Sequence, residues 1–137
     1  MELEAGVILL AEPFSQDEHF SRSVVLICHL DEEDGAFGFI LNKGISSPVE
    51  NNDHPLASMP FFLGGPMEQD ALFYIHHYDE IRDANPVRDG LFWQGKFEDL
   101  LESLTQKEFR SEKCRLLMGY RAGKKVSWKV KLNGKTG

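Results

Sequence analysis

AEPFSQDEHFSRSVVLICHLDEEDGAFGFILNK, residues 11–43, decides the fold of this chain. Before it, Gly6 to Ala11 (GVILLA) is a short apolar run closed by Glu12-Pro13. Proline cannot donate to a strand ladder, so the run reads as a buried strand that must turn there. Ser23 to Leu30 (SVVLICHL) is rich in β-branched and apolar residues and reads as a second strand, and Ala36 to Leu41 (AFGFIL) as a third. The acidic Asp31-Glu32-Glu33-Asp34-Gly35 between them joins the two as a hairpin. Its carboxylates lack the alternating oxygen ligands of a 12-residue calcium loop, so the cluster reads as a solvated turn.

Outward from this hairpin, Gly44 to Pro60 breaks into Ser, Asn and Asp with Pro48, Pro55 and Pro60, which predicts a long irregular loop. Phe61 to Leu63 predicts a short strand running into Gly64-Gly65-Pro66, followed by strands at Ala71 to His77 and Gly90 to Trp93. Lys96 to Gln106 carries Phe97, Leu100, Leu101 and Leu104 at helical spacing with Glu98, Asp99 and Glu102 on the other side. That pattern predicts an amphipathic helix whose apolar stripe covers the sheet. Cys114 to Met118 supplies a last core strand into Gly119-Tyr120.

A chain of 137 residues with 42% hydrophobic content fits one domain with one core. No run approaches the roughly 20 apolar residues that span a bilayer, and the start MELEAGVILLAEP puts acids where a signal peptide needs bases. The expectation is a cytoplasmic protein without a membrane segment. Cys28 and Cys114 sit in separate apolar runs and read as buried free thiols. All 22 acids precede Arg121, whereas Arg121, Lys124, Lys125, Lys129, Lys131 and Lys135 crowd the end of the chain, for a net charge of −7. An acidic body repels phosphates, and no helix-turn-helix or aromatic RNA-binding signature is present, so specific nucleic-acid binding is not expected.

The chain also carries several separated motifs in one order. They are Ala11, Pro13, Asp17, Phe20, Ser23, Val24 and Val25; then His29; then Gly35, Ala36, Gly38 and Asn42; then Gly64-Gly65-Pro66; with His76 and Gly119-Tyr120 beyond. In this the sequence resembles the AlgH/YqgE family over essentially residues 5–120. The resemblance implies an α+β domain whose mixed β-sheet bends into a barrel-like shape with helices packed outside. It implies a transcriptional-regulator label resting on genetic association rather than a mechanism. Residues 1–120 are read as one such domain and 121–137 as an atypical basic tail. Where the family pattern continues A-G-W-x-x-G-Q-L-E-x-E, this chain reads RAGKKVSWKVKLNGKTG. Restoring one base ahead of a suitable coding sequence yields AGWEKGQLEGEIERENW, so a frameshift from Arg121 is the expected origin, with the tail poorly packed or forming an improvised strand around Val126, Trp128, Val130 and Leu132.

The resemblance and the predicted turns together nominate Glu12, His29, Asn42, Gly64 and Gly65 as one cluster at a strand-end rim, with His76 a further candidate ligand-binding residue. His29 and Asn42 are expected to meet beside the Glu12-Pro13 turn, and the Gly64-Gly65 N–H groups to offer a small anion nest. Against catalysis, no G-x-S-x-G elbow presents Ser15, Ser21 or Ser23, and no HExxH or Cys/His spacing suggests a metal. Adjacent His76 and His77 on one strand point to opposite faces and cannot chelate together. No catalytic residue, metal or cofactor is assigned. The expectation is a non-enzymatic regulatory or interaction protein with a protein partner or small ligand; the alternative is a small-ligand-binding protein or hydrolase using the Gly64-Gly65-Pro66 turn.

Overall fold

The computed structural model describes residues 4–11, 23–31, 35–106 and 113–123. Among these residues nine strands and one helix follow in chain order: β1 (Ile8–Ala11), β2 (Ser23–Asp31), β3 (Gly35–Ile40), β4 (Gly44–Ile45), β5 (Phe61–Leu63), β6 (Met67–His76), β7 (Asn85–Arg88), β8 (Leu91–Trp93), α1 (Phe97–Gln106) and β9 (Cys114–Gly123). The sheet order is β1-β2-β3-β9-β6-β8-β7, with β5 pairing both β4 and β9. The β5–β9 pair is parallel and the others antiparallel, so the sheet is mixed, as expected. β9 is the hub: it pairs with β6 along one edge and with β5 and then β3 along the other.

The sheet curls into a half-barrel. Flat, β3 and β8 would stand three strand spacings apart, roughly 14 Å. Instead the Phe37 and Trp93 ring centroids are 4.7 Å apart, and Phe39 and Trp93 6.4 Å. The concave face packs Leu26, Cys28, Phe39 and Leu117 at its centre, flanked by Phe73, Ile75, Leu91 and Trp93. Alternation along each strand sends the intervening residues to the convex face. There Val7, Leu9, Val25, Ile27 and Ala36 cluster over the first three strands. Tyr74, Leu116 and Met118 of β6 and β9 are buried with Leu100 and Leu104 of α1.

The predicted helix is present, though Phe97 stays 40% exposed, its ring tilted at 46° to Tyr74 with centroids 6.3 Å apart rather than completing the stripe. Asp99 in its first turn accepts two bonds from the Arg82 guanidinium and one from the Arg82 N–H. These bonds hold its carboxyl down at about 2 and tie the helix start to the β6–β7 connection. Where several outer helices were expected, the described residues hold this one. Two strands escaped the sequence reading: β4, inside the expected loop, and β7, which contains Pro86 and occupies the sheet edge where a missing N–H is tolerated. β9 runs unbroken through Arg121 and Ala122 to Gly123, which pairs with Ala36. The remainder of the basic tail, including Trp128, lies outside the described residues.

Candidate functional site

Glu12 also lies outside the described residues; the other five nominated positions are separated. In the β2–β3 ladder His29 stands opposite Phe37, next to the hairpin turn. Asn42 follows the far end of β3, where its Oδ1 accepts the Val24 N–H at 2.9 Å. Val24 and His29 are five residues apart on an extended strand, roughly 16 Å. The two side chains therefore do not meet: antiparallel pairing puts the end of β3 beside the start of β2, not beside its end.

Gly64 and Gly65 serve backbone packing. The Gly64 N–H donates to the Met118 carbonyl at 2.7 Å and the Gly64 carbonyl accepts from Ile40 at 2.7 Å, which stitches β3 and β9 together. A Cβ on Gly64 would fall 2.3 Å from the Gly119 oxygen, and one on Gly65 2.2 Å from the Tyr120 carbonyl carbon. Neither glycine has positive φ, and the Gly64 donor is occupied, so the expected anion nest loses the geometry it needed.

His76 is locked. It is 1% exposed, its Nδ1 accepts the Tyr78 N–H at 3.1 Å, and its Nε2 is 2.9 Å from the Gln94 carbonyl. An N–H donor at Nδ1 fixes the tautomer: Nε2 carries the proton and donates it to Gln94. Burial pushes the imidazole below its ordinary range, holding it neutral. His77, on the opposite face, is exposed and bonds the Gly90 carbonyl through Nδ1. Both cysteines are free and buried, with thiols pushed up to about 12 by that burial, so neither is a nucleophile at neutral pH. Among the described residues no group of three or more His, Cys, Asp or Glu can hold a metal ion.

Among the described residues the half-barrel opens in at least two mouths. One, a cavity of about 350 Å³, is lined by Phe37, Phe73, Trp93 and Tyr120 with His29 and Glu68 among its polar groups. Two backbone irregularities converge on it. The register shifts between Ile27 and His29, a β-bulge that turns His29 onto the Phe37 face when simple alternation would send it outward. Glu68 adopts φ 46° beside another register shift, opposite Gly119-Tyr120. Its carboxylate accepts a hydrogen bond from the Tyr120 hydroxyl, and this bond, with burial and the nearby negative charge, raises the phenol above its ordinary range. Non-glycine residues at positive φ carry a conformational cost and concentrate at functional sites. Sequence reasoning found His29 and missed Glu68, whose conformation no sequence pattern reveals. It also missed the aromatic wall, whose rings come from four strands and meet only because the sheet curls. The second mouth, about 270 Å³, opens at the other strand ends, where His76 lies among the lining residues.

The profile of the AlgH-like family matches residues 8–125. A UPF0301 protein of Cytophaga hutchinsonii is 36% identical over 122 residues, covering 86% of this chain and 66% of that protein. One from Bacteroides fragilis is 37% identical over 120 residues, covering 84% and 60%. The chain thus spans about two thirds or less of the length of these relatives. In fold, a Corynebacterium diphtheriae protein known from its crystal structure superposes with TM-score 0.67 at 22% identity, covering 93% of this chain and 71% of that one. The solution structure of Pseudomonas aeruginosa AlgH superposes with TM-score 0.65 at 17% identity, covering 91% and 72%.

Proposed function

We propose that this chain, which belongs to the AlgH-like family, is a non-enzymatic regulatory protein of the cytoplasm that works by binding a partner or small ligand at the aromatic mouth of its half-barrel. The observation that carries this reading is the convergence of the His29 bulge and the left-handed Glu68 on a cavity walled by Phe37, Phe73, Trp93 and Tyr120. Ligand sites combine apolar walls with a few oriented polar groups in this way. The wall suits a flat apolar group, and the Glu68–Tyr120 pair supplies an acceptor that fixes its orientation. The non-enzymatic part is supported by His76, whose ring nitrogens are both engaged within the fold, and by the two high thiols.

Trp93 in the wall provides the assay. In a Trp128→Phe background, titration with planar metabolites and candidate peptides should give saturable quenching of Trp93 emission. Glu68→Ala and His29→Ala should each weaken it by about tenfold. Turnover of ester, amide or phosphate substrates that disappears in His29→Ala would establish a hydrolase and overturn the reading. Duplex DNA at physiological salt should give only weak, sequence-independent anisotropy changes that fade as salt rises; nanomolar, sequence-dependent binding would contradict this mode of regulation.

A further inference from the structure

The second mouth differs in chemistry from the first. Its walls are Ile8, Leu26, Leu41, Ile75 and Leu91, and its charged groups are Lys113 and Arg115, with His77 beside them; no carboxylate lines it among the described residues. That is unexpected in a chain carrying net charge −7. Elsewhere Arg82 pairs with Asp99 and Glu98, Arg88 with Glu4, and Lys96 with Asp83. Lys113 and Arg115 have no such acid among the described residues. Arg115 is instead held in place: one Nη donates to the Leu41 carbonyl at 2.8 Å, and the guanidinium carbon sits 4.5 Å over the Phe62 ring. A guanidinium has five N–H donors in a fixed fork, so this anchoring leaves donors to spare.

Two cations with no carboxylate partner among the described residues, at the rim of an apolar cavity, complement a molecule with an anionic head and an apolar body. We propose that this mouth binds a free medium-chain carboxylate, its head between Lys113 and Arg115 and its chain along Ile8, Leu26 and Leu91 into the half-barrel. The cavity of about 270 Å³ stands near the lower end of ligand-pocket sizes, about 300–1,000 Å³, which favours a short chain over a long one. Fixed walls give length discrimination, since each buried methylene changes affinity about fourfold.

The test is calorimetric and thermal-shift titration of the full chain with sodium octanoate, hexanoate, 1-octanol and octylamine, all below their aggregation concentrations. Octanoate should raise the melting temperature saturably and bind about fifteenfold more tightly than hexanoate. Octylamine should not bind. Lys113→Glu, at an exposed position, should weaken octanoate at least tenfold without changing the melting temperature of the free protein. Arg115→Gln should also weaken it, and Lys96→Glu, remote from the mouth, should not. Equal shifts from octanol and octanoate, or unchanged affinity in Lys113→Glu, would overturn the proposal. Capture by anionic phospholipid vesicles without binding of monomeric octanoate would assign the cations to a membrane surface and overturn it as well.

Discussion

Replacing His76 with phenylalanine isolates the work done by one buried ring. Phenylalanine keeps the shape and the stacking, since the imidazole lies nearly parallel to Tyr78 (5.9 Å, 17°) and Phe92 (5.8 Å, 22°). What disappears is the acceptor for the Tyr78 N–H and the donor to the Gln94 carbonyl. A buried polar group left unsatisfied costs about 1–3 kcal/mol, so the pair predicts a loss of about 2–6 kcal/mol. That is a large share of the roughly 5–15 kcal/mol that holds a typical domain together. The change also has a pH signature. The folded ring titrates below its unfolded value of about 6.5, so below that pH the unfolded chain binds the extra proton. His76 therefore favours folding fully above about pH 6.5. This advantage is lost as pH falls towards the folded value, with a slope below the ceiling of about 1.4 kcal/mol per pH unit that one full proton would set. Urea unfolding of the natural chain and His76→Phe at pH 7.5, 6.0 and 5.0 measures both quantities, and subtraction removes the other four histidines. A variant within about 0.5 kcal/mol of the natural chain at pH 7.5, or one retaining the same acid slope, would refute this account of the ring.

Two further outcomes are expected. Gly65→Ala should destabilise by about 3 kcal/mol or more, because its Cβ meets the Tyr120 backbone at 2.2 Å, whereas Gly44→Ala, with nothing within 4 Å, should stay within about 0.5 kcal/mol in the same urea assay. Cys28 and Cys114 should resist a thiol reagent in the native protein at pH 8 and react together once urea unfolds it; fast reaction of either in the native state would contradict their burial.

The hairpin of β2 and β3 and the helix were legible because hydrophobic period and turn chemistry are local. Leu100 and Leu104 are buried as their spacing predicts. The irregular Gly44–Pro60 segment was legible from its prolines, though β4 was not, since two residues cannot display a period. The site was harder. His29 points where it does because one extra residue in β2 reverses the alternation, and a bulge leaves no mark in composition. Asn42 and Gly64-Gly65 were recognised as special positions, yet the reason is architectural: an amide that ends a ladder and a backbone approach that admits no Cβ.

The hub position of β9 sets the order in which the molecule can assemble. β1 to β3 can form an antiparallel unit as soon as they are synthesised. The edge of β3 nearest the middle of the sheet then waits for residues made much later, as the Ala36–Gly123 pair illustrates. β5 and β6 wait for the same strand. Until it arrives, a growing chain presents unpaired ladder edges and half of a hydrophobic lumen, the state in which strands recruit wrong partners. Because contacts far apart in sequence close the sheet, folding should be slow and reach completion only once β9 has been made.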